Sequence, residues 1–404
     1  MATATEPSAP AKAVRERIDS VDLLRGLVMV IMALDHVRDF FHADAQLFSP
    51  EDLTHTNGML FFTRWITHFC APVFMFLAGV SVHFLAPRRA SLGMVSRFLV
   101  TRGLWLIFLE WTVVYLAFSF NFSYRIVLVQ VLWALGWSMI VLAALIWLPR
   151  TWILTIAVAL IALHNAFDGV QAASFGFWGW LWNVLHVPTF VPVGGRLFAF
   201  LYPLIPWVGV MAAGYCFGPV MQMEALQRRK TLFRLGAALT AAFFLLRFIN
   251  VYGDARIWSV QRSSVLTIVS FFNLTKYPPS LLYLLTTLGP ALLVLALLDR
   301  VRVGPQNFFR VFGRVPMFYY LLHFYAIHAL AVVLGGTRYG RWDLFFQFPG
   351  ALVGLPAPGF PSDYGYNLAV VYLIWFALVG ALYFLCRWYM NFKNRNPAAW
   401  LSYL

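Results

Sequence analysis

Charge is what this sequence has least of. Asp, Glu, Lys and Arg together make up 11% of its 404 residues, against about 25% in soluble domains. That excludes an ordinary water-soluble globular chain. Cysteine is almost missing too: Cys70, Cys216 and Cys386 each lie inside an apolar run. With no CxxC pair and no His/Cys ligand spacing, their role is packing, and no metal is expected. No internal repeat stands out, which argues against an inverted-repeat transporter. The first twenty residues, MATATEPSAPAKAVRERIDS, lack an apolar core beside a cleavage site. They read as a cytosolic tail rather than a signal peptide. The 16 Asp and Glu are outnumbered by 30 Lys and Arg, a formal charge of +14. These basic residues gather at segment ends, where membrane topology explains them, so no nucleic-acid partner is expected.

What is abundant is apolar surface: 61% of residues are hydrophobic and the mean hydropathy is +0.74. Apolar runs recur from Val21 almost to the last residue. The expectation is an all-α, polytopic integral membrane protein with a cytosolic tail over 1–20, a membrane domain over 21–392 and a second cytosolic tail over 393–404. Ten helices are expected, over 22–42, 59–86, 98–120, 126–148, 152–168, 197–219, 232–250, 280–298, 315–335 and 367–390. Each is long enough for a bilayer core about 30 Å thick. With both termini cytosolic, the inner side collects Lys12, Arg15 and Arg17; Arg88, Arg89 and Arg97; Arg228, Arg229, Lys230 and Arg234; Arg300, Arg302, Arg310 and Arg314; and Arg387, Lys393 and Arg395. The outer side holds Asp44, Glu51, Asp52, Asp168, Asp254, Asp343 and Asp363. That asymmetry follows the positive-inside rule. The outer loops 169–196, 251–279 and 336–366 are rich in Gly, Pro and aromatics, which suits an interface or a substrate vestibule.

Against this background RGLVMVIMALDHVRDFFH, residues 25–42, is anomalous. It is apolar enough to span, yet carries Arg25, Asp35, His36, Arg38, Asp39 and His42. Ionisable groups at membrane depth cost about 2.5–3.5 kcal/mol each, which makes them functional candidates by default. Arg25 and His36 lie ~16 Å apart along the helix axis. Asp39 shares a face with His36, and a carboxylate beside an imidazole fixes its tautomer and raises its basicity. Asp35, His36 and Asp39 therefore form a candidate general-base unit, with Asp35 or Asp39 as the orienting carboxylate. In the second helix Arg64 and His68 lie on one face, His68 about 13 Å from the outer end. Arg25, Arg64 and His68 are candidate substrate contacts, together with His323 near the middle of the ninth helix. A second tier is basic. Arg88 and Arg89 lie in the loop after the second helix, and Arg97 and Arg102 begin the third, a candidate anion site suited to phosphates. His164 and His186 stand near loops and receive no role.

Four stretches, two of them overlapping, carry a resemblance. SVDLLRGLVMVIMALDHVRDFF, with Arg25 and His36, and PVFMFLAGVSVHF with the basic stretch after it resemble the first two helices of the transmembrane acyltransferase superfamily. MALDHVRDFFH and KYPPSLLYLLTTLGP resemble the bacterial relatives of the heparan-alpha-glucosaminide N-acetyltransferase catalytic domain. The resemblance covers about residues 17–110 and recurs at 276–325. It implies transfer of an acyl group, acetyl in the first instance, from cytosolic acetyl-CoA or another acyl-CoA to a sugar or glycan acceptor across a bacterial inner membrane, without a metal. It further implies His36 as the catalytic histidine and Arg25 as the motif arginine. Arg97 and Arg102 stand where relatives hold the CoA phosphates, although the superfamily spaces its arginine pair three apart and here the spacing is five. The heparan enzyme's own histidine lies in the outer loop, so His42 and His55 are rival assignments. A proton-coupled small-molecule transporter is the alternative reading, because Asp and His in a first helix also suit a proton relay. The oligomeric state is open.

Overall fold

A computed structural model of the chain describes residues 18–346, 359–396 and 398. Lys12, Arg15 and Arg17, with the rest of the tail expected over 1–20 up to residue 17, lie outside the described residues. So does most of the tail expected over 393–404. Of the described residues 71% are helical, and the protein is an all-α polytopic membrane protein.

Fifteen α-helices are described. They are α1 (Asp19–Phe41), α2 (Gly58–Trp65), α3 (Cys70–Leu85), α4 (Leu92–Leu109), α5 (Tyr115–Ser119), α6 (Val131–Leu145), α7 (Arg150–Ala162), α8 (Gly179–Leu185), α9 (Leu204–Met221), α10 (Ala225–Ile249), α11 (Ser264–Phe272), α12 (Leu281–Leu298), α13 (Phe308–Arg314), α14 (Pro316–Tyr339) and α15 (Leu368–Arg395). A 3₁₀ turn, Ile66–Phe69, joins α2 to α3, and a π segment, Glu110–Val114, joins α4 to α5. Among the described residues seven helical stretches are long and apolar enough to cross a membrane: Gly58–Leu85, Leu92–Ser119, α9, α10, α12, α14 and α15. Their starts follow local chemistry. Asn57, Ser91, Ser280 and Asn367 each accept a hydrogen bond from a backbone N–H of the first turn, satisfying donors that a helix leaves orphaned.

Two expected helices begin late. Residues 126–129, expected to open a helix, form strand β1 (Ile126–Val129) instead, so α6 is 15 residues long. The start of the expected helix 197–219 is likewise a strand. β2 (Thr189–Val193) and β3 (Arg196–Phe200) form a hairpin, and β1 joins β3 in parallel, Ile126 opposite Leu197. The hairpin turn is Gly194–Gly195, with φ of +56° and +76°. Two successive positive φ values match the twist of the flanking strands and are cheap for glycine alone.

α1 is the centre of the molecule. Seventeen of its 23 residues are buried, whereas only six of the 28 in α15 are. The helix with most charge is thus the one most shielded from lipid, as the cost of exposing ions to hydrocarbon requires. Around it α3 packs on α9 at very short range. A Cβ added at Gly79 would lie 2.0 Å from the Met211 carbonyl oxygen, and one at Gly214 2.0 Å from that of Phe76. Such small-residue contacts let membrane helices approach closely.

Candidate active site

The last two turns of α1 carry four ionisable groups, which pair largely with one another and are tied to the rest of the fold through Asp35. Arg38 Nη2 lies 3.0 Å from Asp35 Oδ1 and also donates to Asp39. Asp35 in turn accepts a hydrogen bond from Arg64 of α2. Arg64 Nε is 3.4 Å from Glu51 Oε1 in the loop before α2, and Glu51 also meets His68 Nε2 at 3.4 Å and Arg256 Nη1 at 3.0 Å. Burial pushes the Glu51 carboxyl up, but His68, Arg64 and Arg256 outweigh it and hold it well below its ordinary value. Arg64 is therefore the bridge between the α1 cluster and the loop before α2.

Beside this network lies a cavity of about 660 Å³, in the size range of small-molecule sites. Asp35, His36, Asp39, Arg64 and Lys276 line one end; Arg25, Ser81, Arg102 and Lys393 line the other. Arg25 and Asp39 are 14 residues apart on α1, ~21 Å along the axis, so one cavity follows most of a membrane-length helix. Its middle is apolar, with Met29, Met32, Met75, Leu99 and Met139. At the polar end Asp35, Asp39 and Glu51 face Arg38, Arg64, Arg256 and Lys276, three carboxylates against four cations. With neutral histidines that leaves one formal positive charge.

His36 lines the cavity with its ring 4.2 Å from that of Phe324. Its Nδ1 lies 3.9 Å from Asp39 Oδ2 and makes no hydrogen bond among the described residues. Asp35 is committed to Arg38 and Arg64, and Asp39 to Arg38, so neither carboxylate holds the ring by a hydrogen bond. His42 and His55 stay out of the cavity lining. His42 Nδ1 accepts a hydrogen bond from the Asp44 N–H, and His55 pairs with Asp52 at 2.7 Å on the exposed loop.

Several expected contacts lie elsewhere. His68 is 1% exposed and its carbonyl accepts a hydrogen bond from Tyr283 Oη. It forms part of the wall behind Arg64, outside the lining, because the helix path turns at Ile66–Phe69. His323 is fully buried, stacked on Tyr319 with its ring 5.4 Å from that of His36. It backs His36 rather than opening on the cavity. Arg97 is exposed and off the lining. Arg89 stacks over Phe98, itself a lining residue, at 4.7 Å. The Arg88 side chain lies outside the described residues. Arg25 lines the cavity while donating to Asp22, Ser81 and the Gly313 carbonyl, which ties α1 to α3 and α13. Glu110, near the basic tier in sequence, accepts from the N–H groups of Leu132 and Trp133 and so caps α6.

Glu51 and Lys276 went unrecognised as parts of the site. Lys276 carried a usable signal, as the one lysine between Lys230 and Lys393, set directly before Tyr277–Pro278–Pro279. It is 8% exposed, and its ammonium lies 5.2 Å from the Tyr277 ring centroid. Glu51 had no comparable signal in its polar loop.

Comparison with known proteins adds one match. The family model for the catalytic region of heparan-alpha-glucosaminide N-acetyltransferase matches residues 17–250, more than half of the chain. No curated protein matches it.

Proposed function

Because the chain belongs to the heparan-alpha-glucosaminide N-acetyltransferase catalytic family, a family of membrane acetyltransferases, we propose that its cavity brings acetyl-CoA and a sugar or glycan acceptor together from opposite ends. What carries this reading is the continuity of the cavity from Arg25, Arg102 and Lys393 to His36 and Lys276. The cationic end near Arg102, with Arg89 and Arg97 close in sequence, suits the phosphates of CoA, which guanidinium groups bind through charge-assisted bonds. The positive-inside rule puts that end in the cytosol. The apolar middle then accommodates the pantetheine arm, so that the thioester reaches the other half of the membrane.

The acceptor hydroxyl or amine enters from the His36 end. His36, with Asp35 and Asp39 nearby, takes its proton as the oxygen or nitrogen attacks the thioester carbonyl. The carbonyl oxygen gains negative charge, which the Lys276 ammonium and the Arg64 guanidinium are placed to stabilise. Collapse of the tetrahedral intermediate breaks the C–S bond, and the proton on His36 passes to the departing CoA thiolate. The products are an acetylated sugar and free CoA.

The test is transfer of labelled acetyl from acetyl-CoA to a panel of amino sugars and glycans by protein reconstituted in vesicles. Transfer that needs acetyl-CoA on one face and acceptor on the other supports the reading. Uptake of unmodified sugar with no transfer overturns it in favour of the transporter.

A further inference from the structure

Away from the transfer cavity, three metal-type donors from one 23-residue stretch converge. His164 begins the short turn after α7, Asp168 ends it, and His186 follows α8. Among the described residues this is the one group of three His, Cys, Asp or Glu side chains whose donor atoms all lie within 4.8 Å of one another. His186 Nε2 is 3.2 Å from Asp168 Oδ1, and the two imidazole centroids are 5.6 Å apart. Both imidazoles are buried, His164 at 3% and His186 at 1% exposure. His186 Nε2 meets the Asp168 carboxylate, His164 reaches the Pro279 backbone, and His186 Nδ1 makes no hydrogen bond among the described residues. Two buried imidazoles beside one carboxylate, with a ring nitrogen left over, are costly unless something else binds them.

We propose that His164, His186 and Asp168 form a binding site for a zinc-type divalent cation, a departure from the expectation that no metal takes part. Two imidazoles and one carboxylate are the donor set that suits zinc, leaving a fourth position for water. Ligands about 2.0–2.2 Å from a tetrahedral ion stand roughly 3.3–3.5 Å from one another, close to the observed His186–Asp168 separation. The surroundings hold the donors in place. Asp168 Oδ2 accepts a hydrogen bond from Asn165 Nδ2, and Asn165 Oδ1 accepts one from the Leu281 N–H. Trp182 packs on His186 at 4.8 Å and donates through Nε1 to the Val170 carbonyl. Supporting hydrogen bonds to ligating groups of this kind are what orients a metal site. The ion clasps the end of α7 and α8 together, and Asn165 ties that unit to the start of α12, five residues after Lys276. This site is independent of the transfer reaction proposed above, and its ligands lie outside the transfer cavity.

The experiment uses the full chain in detergent micelles, stripped with a chelator and titrated with Co²⁺ while its visible spectrum is followed. Equilibrium dialysis against Zn²⁺ gives the stoichiometry. The expected result is one ion per chain, with the intense visible bands of four-coordinate cobalt, displaced by Zn²⁺ and not by Mg²⁺. His186→Gln and Asp168→Asn, made separately, each weaken binding by about a hundredfold or more, beyond the 10–100-fold typical of losing a supporting partner. Zn²⁺ raises the unfolding temperature of the wild type but not that of His186→Gln, whose fold is checked by its metal-free unfolding transition. If either variant does not fold, the other gives the comparison. The proposal is overturned if the stripped wild type takes up no Co²⁺ or Zn²⁺, if both variants bind as well as the wild type, or if Mg²⁺ competes equally.

Discussion

Replacing Arg64 by alanine is the most informative single perturbation of this protein. Arg64 joins Asp35 of α1 to Glu51 of the outer loop, and its side chain is only 13% exposed, against 11% and 13% for those two partners. Removing one member of a buried ion pair costs about 3–5 kcal/mol, because a charge is left in a medium that solvates it poorly. Neither carboxylate is abandoned here. Asp35 keeps Arg38 at 3.0 Å, and Glu51 keeps Arg256 at 3.0 Å and His68 at 3.4 Å. The loss should therefore fall near the lower bound, ~3 kcal/mol, or a factor of about 150 in the folding equilibrium. The assay is reversible unfolding in mixed micelles with a denaturing detergent, comparing wild type, Arg64→Ala, Asp35→Asn and the double variant. Coupled charges predict that the double variant loses less than the sum of the singles, by about 1–3 kcal/mol. Acetyl-CoA affinity should be nearly unchanged in Arg64→Ala, since Arg64 pairs with Asp35, ~15 Å along the α1 axis from the Arg25 end. A loss under about 1 kcal/mol, or strict additivity in the cycle, would refute the view that Arg64 holds this network together.

Four further outcomes are expected. His36→Ala should lower acetyl transfer by about 10²–10⁴-fold while the protein still folds and binds acetyl-CoA; near-normal turnover in that variant, with loss in His42→Ala or His55→Ala, would move the base to the outer loop. Arg102→Ala should weaken acetyl-CoA binding roughly ten- to a hundredfold by calorimetry, from about 1.5–3 kcal/mol per charge-assisted bond, with a smaller loss for exposed Arg97→Ala. Glu51 is held below its ordinary value of 4.5, so the stability it contributes is complete above that pH and is lost as pH falls through its lower folded-state value; Glu51→Gln should flatten this acid limb of an unfolding series. Gly79→Leu should prevent stable folding, because even a Cβ there meets the Met211 carbonyl at 2.0 Å, whereas leucine at exposed Val158 should be tolerated in the same expression and size-exclusion screen.

Much of the site was legible in α1 because the anomaly was local. Six ionisable residues in an otherwise apolar run need partners, and a hairpin brings the second helix back to the same depth, so Arg64 beside Asp35 follows from spacing and depth. The resemblance to a membrane acyltransferase was legible for the same reason, since its motifs lie in these two helices. Less was legible where periodicity is silent. IVLV at 126–129 is a short apolar run that suits a buried strand as well as a helix, and its pairing with Leu197–Phe200 is a long-range choice. The Gly194–Gly195 pair is the one local hairpin signal in that stretch.

By itself the sequence determined that the chain lives in a bilayer, that charges at membrane depth must lie inside the protein, and that the first helix carries an unusual number of them. These follow from the cost of ions and unpaired backbone in hydrocarbon, a property of each segment alone. Which face each helix turns to its neighbours was decided by tertiary packing. His68 and His323 sit at useful depths, yet helix rotation turns both into the wall, while Arg102 opens on the cavity and Arg97 does not. Glu51 and Lys276 come from loops whose paths no local periodicity sets. His164 and His186 are 22 residues apart and meet Asp168 only because α8 folds back on the end of α7. Depth follows from counting residues along one helix; rotation and loop path depend on contacts among all of them.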